Sequence, residues 1–154
     1  MGGDFDHRWT QAREAVEAMK EMWTKDEAEY HGKYYDFPKV RVFPKPAQNP
    51  HPPVFLGGAA SNVFKRVVTY GDGWMPVRAT PESIRAGRAS LDELADAAGR
   101  EPKSIQILVY GASSRDEIKE MEDAGATMAT VRLPTTAPGE VMNGLEQLAE
   151  EMLG

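Results

Sequence analysis

Apolar residues fall at Trp9, Ala12, Val16, Met19 and Trp23, in steps of three and four. That is the repeat of one helical face, so a helix is predicted over residues 8–24. From Ala28 to Phe37 the pattern changes to two short arms carrying tyrosines on either side of His31-Gly32-Lys33, which predicts a hairpin. Residues 38–53 then carry six prolines. No helix survives that density, and an extended surface loop is predicted.

Beyond the loop the pattern becomes regular. Val54 to Leu56 is a short apolar strand. Ser61 or Asn62 can cap a helix carrying Val63, Phe64, Val67 and Val68, which stops at Gly71. Trp74 to Val77 is a second strand. Thr80 followed by Pro81 opens a helix through Ile84, Leu91, Leu94 and Ala98 that ends at Gly99. Ser104 to Tyr110 is the clearest strand, with Ile105, Ile107 and Val109 alternating. Ser114-Arg115-Asp116-Glu117 is a capping-box sequence whose helix ends at Gly125. Met128 to Leu133 is the fourth strand, and Val141, Leu145, Leu148 and Met152 form a last helical stripe.

Strands alternating with helices call for parallel βαβ units with right-handed crossovers. The expectation is one α/β domain over 1–154: a helix, hairpin and Pro-rich loop in 1–53, then four βα units in 54–154. Four units can make a small doubly wound sheet or half of an eight-stranded barrel. A whole barrel takes about 250 residues and does not fit.

Composition narrows the partners. The formal net charge is −6, which argues against a generic binder of nucleic acid or of an acidic membrane. There is no cysteine, hence no disulfide, thiolate nucleophile or cysteine metal site. No apolar run reaches membrane-spanning length and the N-terminus has no signal-peptide core, so a cytoplasmic protein is expected.

Candidate chemistry sits where ligands meet parallel sheets, at the carboxyl ends of the strands. That rule nominates Gly57 to Ser61, Val77 to Thr80, Tyr110 to Ser114, and Arg132 to Thr136. Gly57 and Gly58 let a ligand approach the backbone, and Ala59, Ala60 and Ser61 open a helix whose free amides favour an anion. A strand-to-helix turn explains the same residues. Arg78 and Arg132 are suited to a phosphate or carboxylate, or to plain solvation. Thr80 and Ser114 are accounted for as helix caps. His7, His31 and His51 have no metal-ligand spacing and are assigned to structure, with no metal expected. Trp9 and Trp23 belong to the core stripe. Trp74 is expected inside the sheet, pointing into a barrel interior if there is one, and Gly71-Asp72-Gly73 makes a tight turn. There is no nucleophile elbow, P-loop or paired acid/base carboxylate, and no catalytic residue is assigned.

One set of residues carries a resemblance. It comprises Arg13 to Thr24, then Tyr30-His31-Gly32-Lys33-Tyr34-Tyr35-Asp36-Phe37, Phe43-Pro44-Lys45-Pro46, Pro50-His51-Pro52-Pro53, Gly57-Gly58 and Tyr70-Gly71-Asp72-Gly73-Trp74. In order and spacing it resembles the C-terminal part of the luciferase-like monooxygenases, which use FMN or a deazaflavin coenzyme of the F420 type. The resemblance implies strands five to eight of a (β/α)8 barrel, preceded by a helix and hairpin insertion. It implies cofactor-tail contacts at Gly57, Gly58, Ala59, Ala60 and Ser61, and a small organic substrate. Ala59-Ala60 stands where many relatives carry Gly-Asn or similar polar residues, so FMN and deazaflavin are not distinguished. The family's ring-contacting residues lie largely on the first strands, which implies an oxidoreductase half that is inactive without the rest. Its open edges call for a second copy or a separate N-terminal half. The alternative is a non-catalytic half barrel that binds a flavin or only associates with itself.

Overall fold

A computed structural model describes residues 5–60, 62–133 and 137–153. Its backbone divides into two compact units, Met1–Val54 and Phe55–Gly154.

The first unit is helix α1 (Arg8–Thr24) followed by an antiparallel hairpin of β1 (Ala28–His31) and β2 (Asp36–Val40). The helix does not bury the expected stripe evenly. Val16 is buried, but Trp9 keeps 39% of its surface, and Glu14 and Ala18 are buried in addition. The reason is polar. The Glu14 carboxylate turns onto the hairpin turn and accepts from the Tyr34 amide at 2.7 Å, while the Gly32 amide closes the turn on the Tyr35 carbonyl at 2.8 Å. A side chain at position 32 would meet that carboxylate and the Tyr30 ring, so one of them must shift to admit it. The Tyr30 hydroxyl donates to Glu17 Oε2 at 2.6 Å and ties the hairpin to α1 a second time. Lys45 Nζ donates to the Met22 and Lys25 carbonyls at 2.7 and 2.5 Å, which satisfies the C-terminal end of α1.

The expected loop begins too early. Strand β2 continues through Pro38 to Val40, with Val40 paired to Ala28. A two-stranded ribbon has outer edges without partners, so a proline is tolerated where no amide is needed.

Glu14 gives this unit an acid-sensitive fastening. The Tyr34 amide bond, with smaller help from Lys33 and Tyr35, holds its pKa below the ordinary value against an opposing desolvation. The folded pKa lies below the unfolded one. The stabilisation is therefore present above about pH 4.5 and is lost as pH falls through the folded pKa. Glu14→Gln is expected to flatten the pH dependence of the melting temperature between neutral pH and pH about 3. Parallel curves for the two proteins would contradict this role.

The second unit alternates strand and helix. Its elements are β3 (Phe55–Gly57), α2 (Val63–Tyr70), β4 (Gly73–Met75), α3 (Pro81–Ala97), a single 3-10 turn at Pro102–Ser104, β5 (Gln106–Ala112), α4 (Arg115–Asp123), β6 (Met128–Val131) and α5 (Pro138–Leu153). All neighbouring strands are parallel, and the spatial order β3-β4-β5-β6 is the chain order. A doubly wound sheet reverses its winding. This one does not, which removes the doubly wound alternative. These four strands do not close on themselves, and β3 and β6 are the sheet edges.

Strand β4 is shorter than the expected Trp74 to Val77 because Pro76 has no amide to continue the ladder. Leu56, Trp74 and Ile107 are register neighbours across β3, β4 and β5, and they pack with Val63, Val67, Ile84, Leu91 and Ala95 of α2 and α3. Trp74 is thus on the helix side of the sheet, a correction to its expected place in a barrel interior. The opposite face carries Phe55, Met75, Gln106, Leu108, Tyr110 and Met128, none of them fully buried. Thr80 caps α3 as expected. It accepts from the Ser83 amide at 3.2 Å, and its own amide donates to Ser83 Oγ at 2.9 Å. Ser114 caps α4, but the expected reciprocal bond from Glu117 is displaced by one residue onto Ser113, at 2.8 Å to the amide and 2.6 Å to the hydroxyl. Arg100 closes α2 by donating to the Val67, Val68 and Gly71 carbonyls at 3.2, 3.1 and 2.8 Å. Among the described residues, no helix is long and apolar enough to cross a membrane.

Candidate functional site

Strand β3 ends at Gly57, and the chain turns at Gly58 with φ +128°. Only glycine adopts that conformation without strain. The Gly58 amide still reaches back to the Met75 carbonyl at 3.3 Å, and its carbonyl accepts from the Trp74 indole at 2.9 Å. The turn is therefore fastened from β4 through the peptide groups on both sides of the Gly58 Cα. No atom lies within 4 Å of where a Gly58 side chain would begin, so the turn faces open space. Past it, Ala59 and Ala60 are exposed, and helix α2 starts with Asn62 providing no side-chain cap. Ser61 lies outside the described residues.

A cleft of about 460 Å³ opens beside this turn. It is lined by Gly57 and Gly58, by Met75 at the end of β4 and Pro76, Val77 and Arg78 after it, and by Tyr110 near the end of β5. Arg78 has φ +56°, the only positive φ outside glycine among the described residues. A left-handed arginine costs about 1–2 kcal/mol, and such strain tends to mark a functional position. Tyr110 keeps 67% of its surface exposed although it lies within a strand. The register between β5 and β6 slips there: Tyr110 opposes Thr130, but Ala112 opposes Val131. Gly111 occupies the slip at φ +77°, with its amide donating to Thr130 Oγ1 at 3.1 Å. A bulge of this kind re-aims the neighbouring side chain.

Of the nominated residues, the structure brings together Gly57, Gly58, Val77, Arg78 and Tyr110. It does not bring Arg132 to them. That side chain runs beside the backbone of Gly111, with Nη2 3.6 Å from the position a Cβ would take there. Residues 134–136, including Thr136, lie outside the described residues. Thr80 and Ser114 are held in their caps. Three features escaped the sequence reading: the Trp74 bond to the glycine turn, the left-handed Arg78 and the bulge at Gly111. A signal for the last existed, since a glycine inside a strand pattern marks a bulge. Among the described residues, no group of three or more His, Asp or Glu side chains is placed to hold a metal ion.

The open glycine turn, the start of α2 without a side-chain cap, and Arg78 all lie at the carboxyl ends of parallel strands in an α/β protein. The chain belongs to the luciferase-like monooxygenase family, whose model matches residues 1–151. An uncharacterised protein of Mycobacterium tuberculosis is 30% identical over 162 residues, covering 99% of this chain and 55% of that protein. The FMNH2-dependent dimethylsulfone monooxygenase of Pseudomonas putida is 34% identical over 94 residues, covering 56% of this chain and 26% of that one. The structure of the coenzyme F420-dependent tetrahydromethanopterin reductase from Methanopyrus kandleri superposes with a TM-score of 0.74 at 16% identity, over 94% of this chain and 62% of that one. The chain spans about half the length of the curated relatives it matches over nearly its whole length.

Proposed function

We propose that this chain is the C-terminal half of a (β/α)8 oxidoreductase that uses FMN or a deazaflavin coenzyme on a small organic substrate in the cytoplasm. Strands β3 to β6 take places five to eight, and α1 with the hairpin and Pro-rich stretch is the insertion ahead of them. In support, the sheet winds in chain order without reversal, as a barrel does. The family match, an FMNH2-dependent relative and an F420-dependent structural neighbour point to the same cofactor classes.

The observation that carries the reading is the Gly57–Gly58 turn, held at a positive φ that suits glycine, fastened by Trp74 and open at the strand ends. Both cofactors carry a phosphate on a flexible tail. The residues fit that group: the glycines leave room for it, and α2 begins just beyond them with no side-chain cap from Asn62, so that the positive end of its dipole favours an anion. When bound, the cofactor supplies hydride transfer or oxygen activation. The chain's own part is to hold the tail through Gly57, Gly58, Ala59, Ala60 and Ser61, and to offer Arg78 to anionic groups. Holding the reactive ring against the substrate needs about ångström accuracy, and that task falls to the four complementary strands. They come from a longer polypeptide, a separate N-terminal half or a second copy. A second reading, a self-associating module without catalysis, is favoured by the exposed Met128 and Val131 on edge strand β6.

Little or no turnover is expected from this chain alone. The assay supplies reduced FMN or reduced F420 with carbonyl, enone and long-chain aldehyde substrates. Robust multiple turnover by the chain as a monomer would overturn the half-site reading.

A further inference from the structure

We propose that Arg78 and Tyr110 select the substrate: a molecule with one anionic group on a flat apolar body, Arg78 taking the anion and Tyr110 lying against the body. The inference rests on the neighbouring glycine turn being the cofactor seat, which places a second ligand in the same cleft next to the bound cofactor.

Charge comes first. Among the described residues that line the cleft, Arg78 alone is charged and none is a carboxylate that could satisfy the guanidinium. A guanidinium pairs with a carboxylate or a similar oxyanion through two parallel hydrogen bonds. The rest of the wall is apolar: Met75, Pro76 and Val77, with Val77 64% exposed. Among the described lining residues, the only other polar side-chain group is the Tyr110 hydroxyl. A polyhydroxylated substrate would leave most of its hydroxyls without partners against such a wall. A single oxyanion on an apolar frame leaves none.

Geometry comes second. Both residues are placed by unusual backbone. Arg78 starts from a left-handed conformation, and Tyr110 stands at the bulge whose extra residue is Gly111. A tyrosine ring that is 67% exposed gains by being covered, and a flat ring is the shape that covers it best. Two separate distortions, after β4 and in β5, serve one cleft.

The test is equilibrium binding of 2-naphthoate and of its neutral isostere 2-naphthamide to the full chain, followed by calorimetry. The acid is expected to bind at least tenfold tighter than the amide, which corresponds to about 1.4 kcal/mol. Arg78→Gln should bring the acid down to the amide's affinity and leave the amide unchanged. Arg78→Gly, which relieves the left-handed backbone while removing the charge, should do the same. Tyr110→Ala should weaken both probes about fivefold and keep the preference. Equal affinities in the unmodified chain, binding of neither probe, or a preference that survives both Arg78 variants would overturn the proposal. FMN and F420 are titrated alongside. A cofactor that binds without any acid preference sinks this inference alone. An acid preference with neither cofactor bound supports the Arg78–Tyr110 site and sinks the cofactor reading.

Discussion

Gly87→Val lowers the melting temperature of the protein by roughly 5–10 °C, the consequence of about 2–3 kcal/mol of overpacking. Gly87 is buried in the middle of α3, and its missing side chain is where the Trp74 indole lies. A Cβ there would sit 2.7 Å from Trp74 Cη2 and 3.1 Å from Cε3. The indole has nowhere to go. It is 4% exposed, stands edge-on to the Phe64 ring at 4.8 Å, and donates to the Gly58 carbonyl at 2.9 Å. Helix propensity works the other way, since replacing a helical glycine usually gains up to about 1 kcal/mol. The sign of the result therefore separates the two effects. Thermal melts of Gly87→Ala and Gly87→Val should both fall, the second further. A melting temperature unchanged or raised in both would show that the tryptophan is not held as described.

The second large effect is at the glycine turn. Gly58→Val places a β-branched residue at φ +128°, at a cost of about 1–3 kcal/mol whatever the surrounding space. In molecules that still fold, the turn shifts and the added methyl groups enter the space that the cofactor tail uses. Affinity for FMN or F420 should fall at least tenfold, or about 1.4 kcal/mol. Gly57→Ala separates strain from approach. Its Cβ would make only ordinary contacts, 3.7 Å to the Met75 carbonyl and 3.8 Å to Met75 Cε, so stability should hold. If Gly57→Ala folds normally and weakens binding, the backbone is close to the ligand. If Gly58→Val folds and binds as the unmodified chain does, the glycines serve only the turn.

The regular part of the fold was legible because its signals are local. Thr80-Pro81 marked the start of α3, the alternation of Ile105, Ile107 and Val109 marked β5, and Gly71 and Gly125 marked helix ends. The sequence also carried the family, through a spaced set of residues from α1 to Trp74. What it left open was which face each strand turns to what. Trp74 has the same chemistry on either side of a sheet, and only the vacancy at Gly87 decides for the helix side. Glu14 was illegible for a similar reason. A glutamate on a helix is ordinary, and its partner is a hairpin turn about twenty residues away in sequence.

The site was half legible. Strand ends and glycines nominated Gly57, Gly58, Arg78 and Tyr110 as members of separate groups. Their convergence depends on the parallel order of the strands, on the left-handed backbone at Arg78 and on the slip at Gly111. Arg132 met the same sequence criteria and does not line the cleft. Its place beside Gly111 follows from the same slip, which nothing in the local sequence around Arg132 announces.

Equilibrium titration of the unmodified chain with FMN and with coenzyme F420 tests the central claim most directly. Binding of an intrinsically coloured cofactor is read from its own absorbance and fluorescence and needs no substrate. Saturable, stoichiometric binding of at least one of the two is expected, at an affinity that inorganic phosphate lowers by competing for the seat at Gly57–Gly58 and the first turn of α2. Absence of binding of either cofactor at millimolar concentration, by a chain shown to be folded, would contradict it.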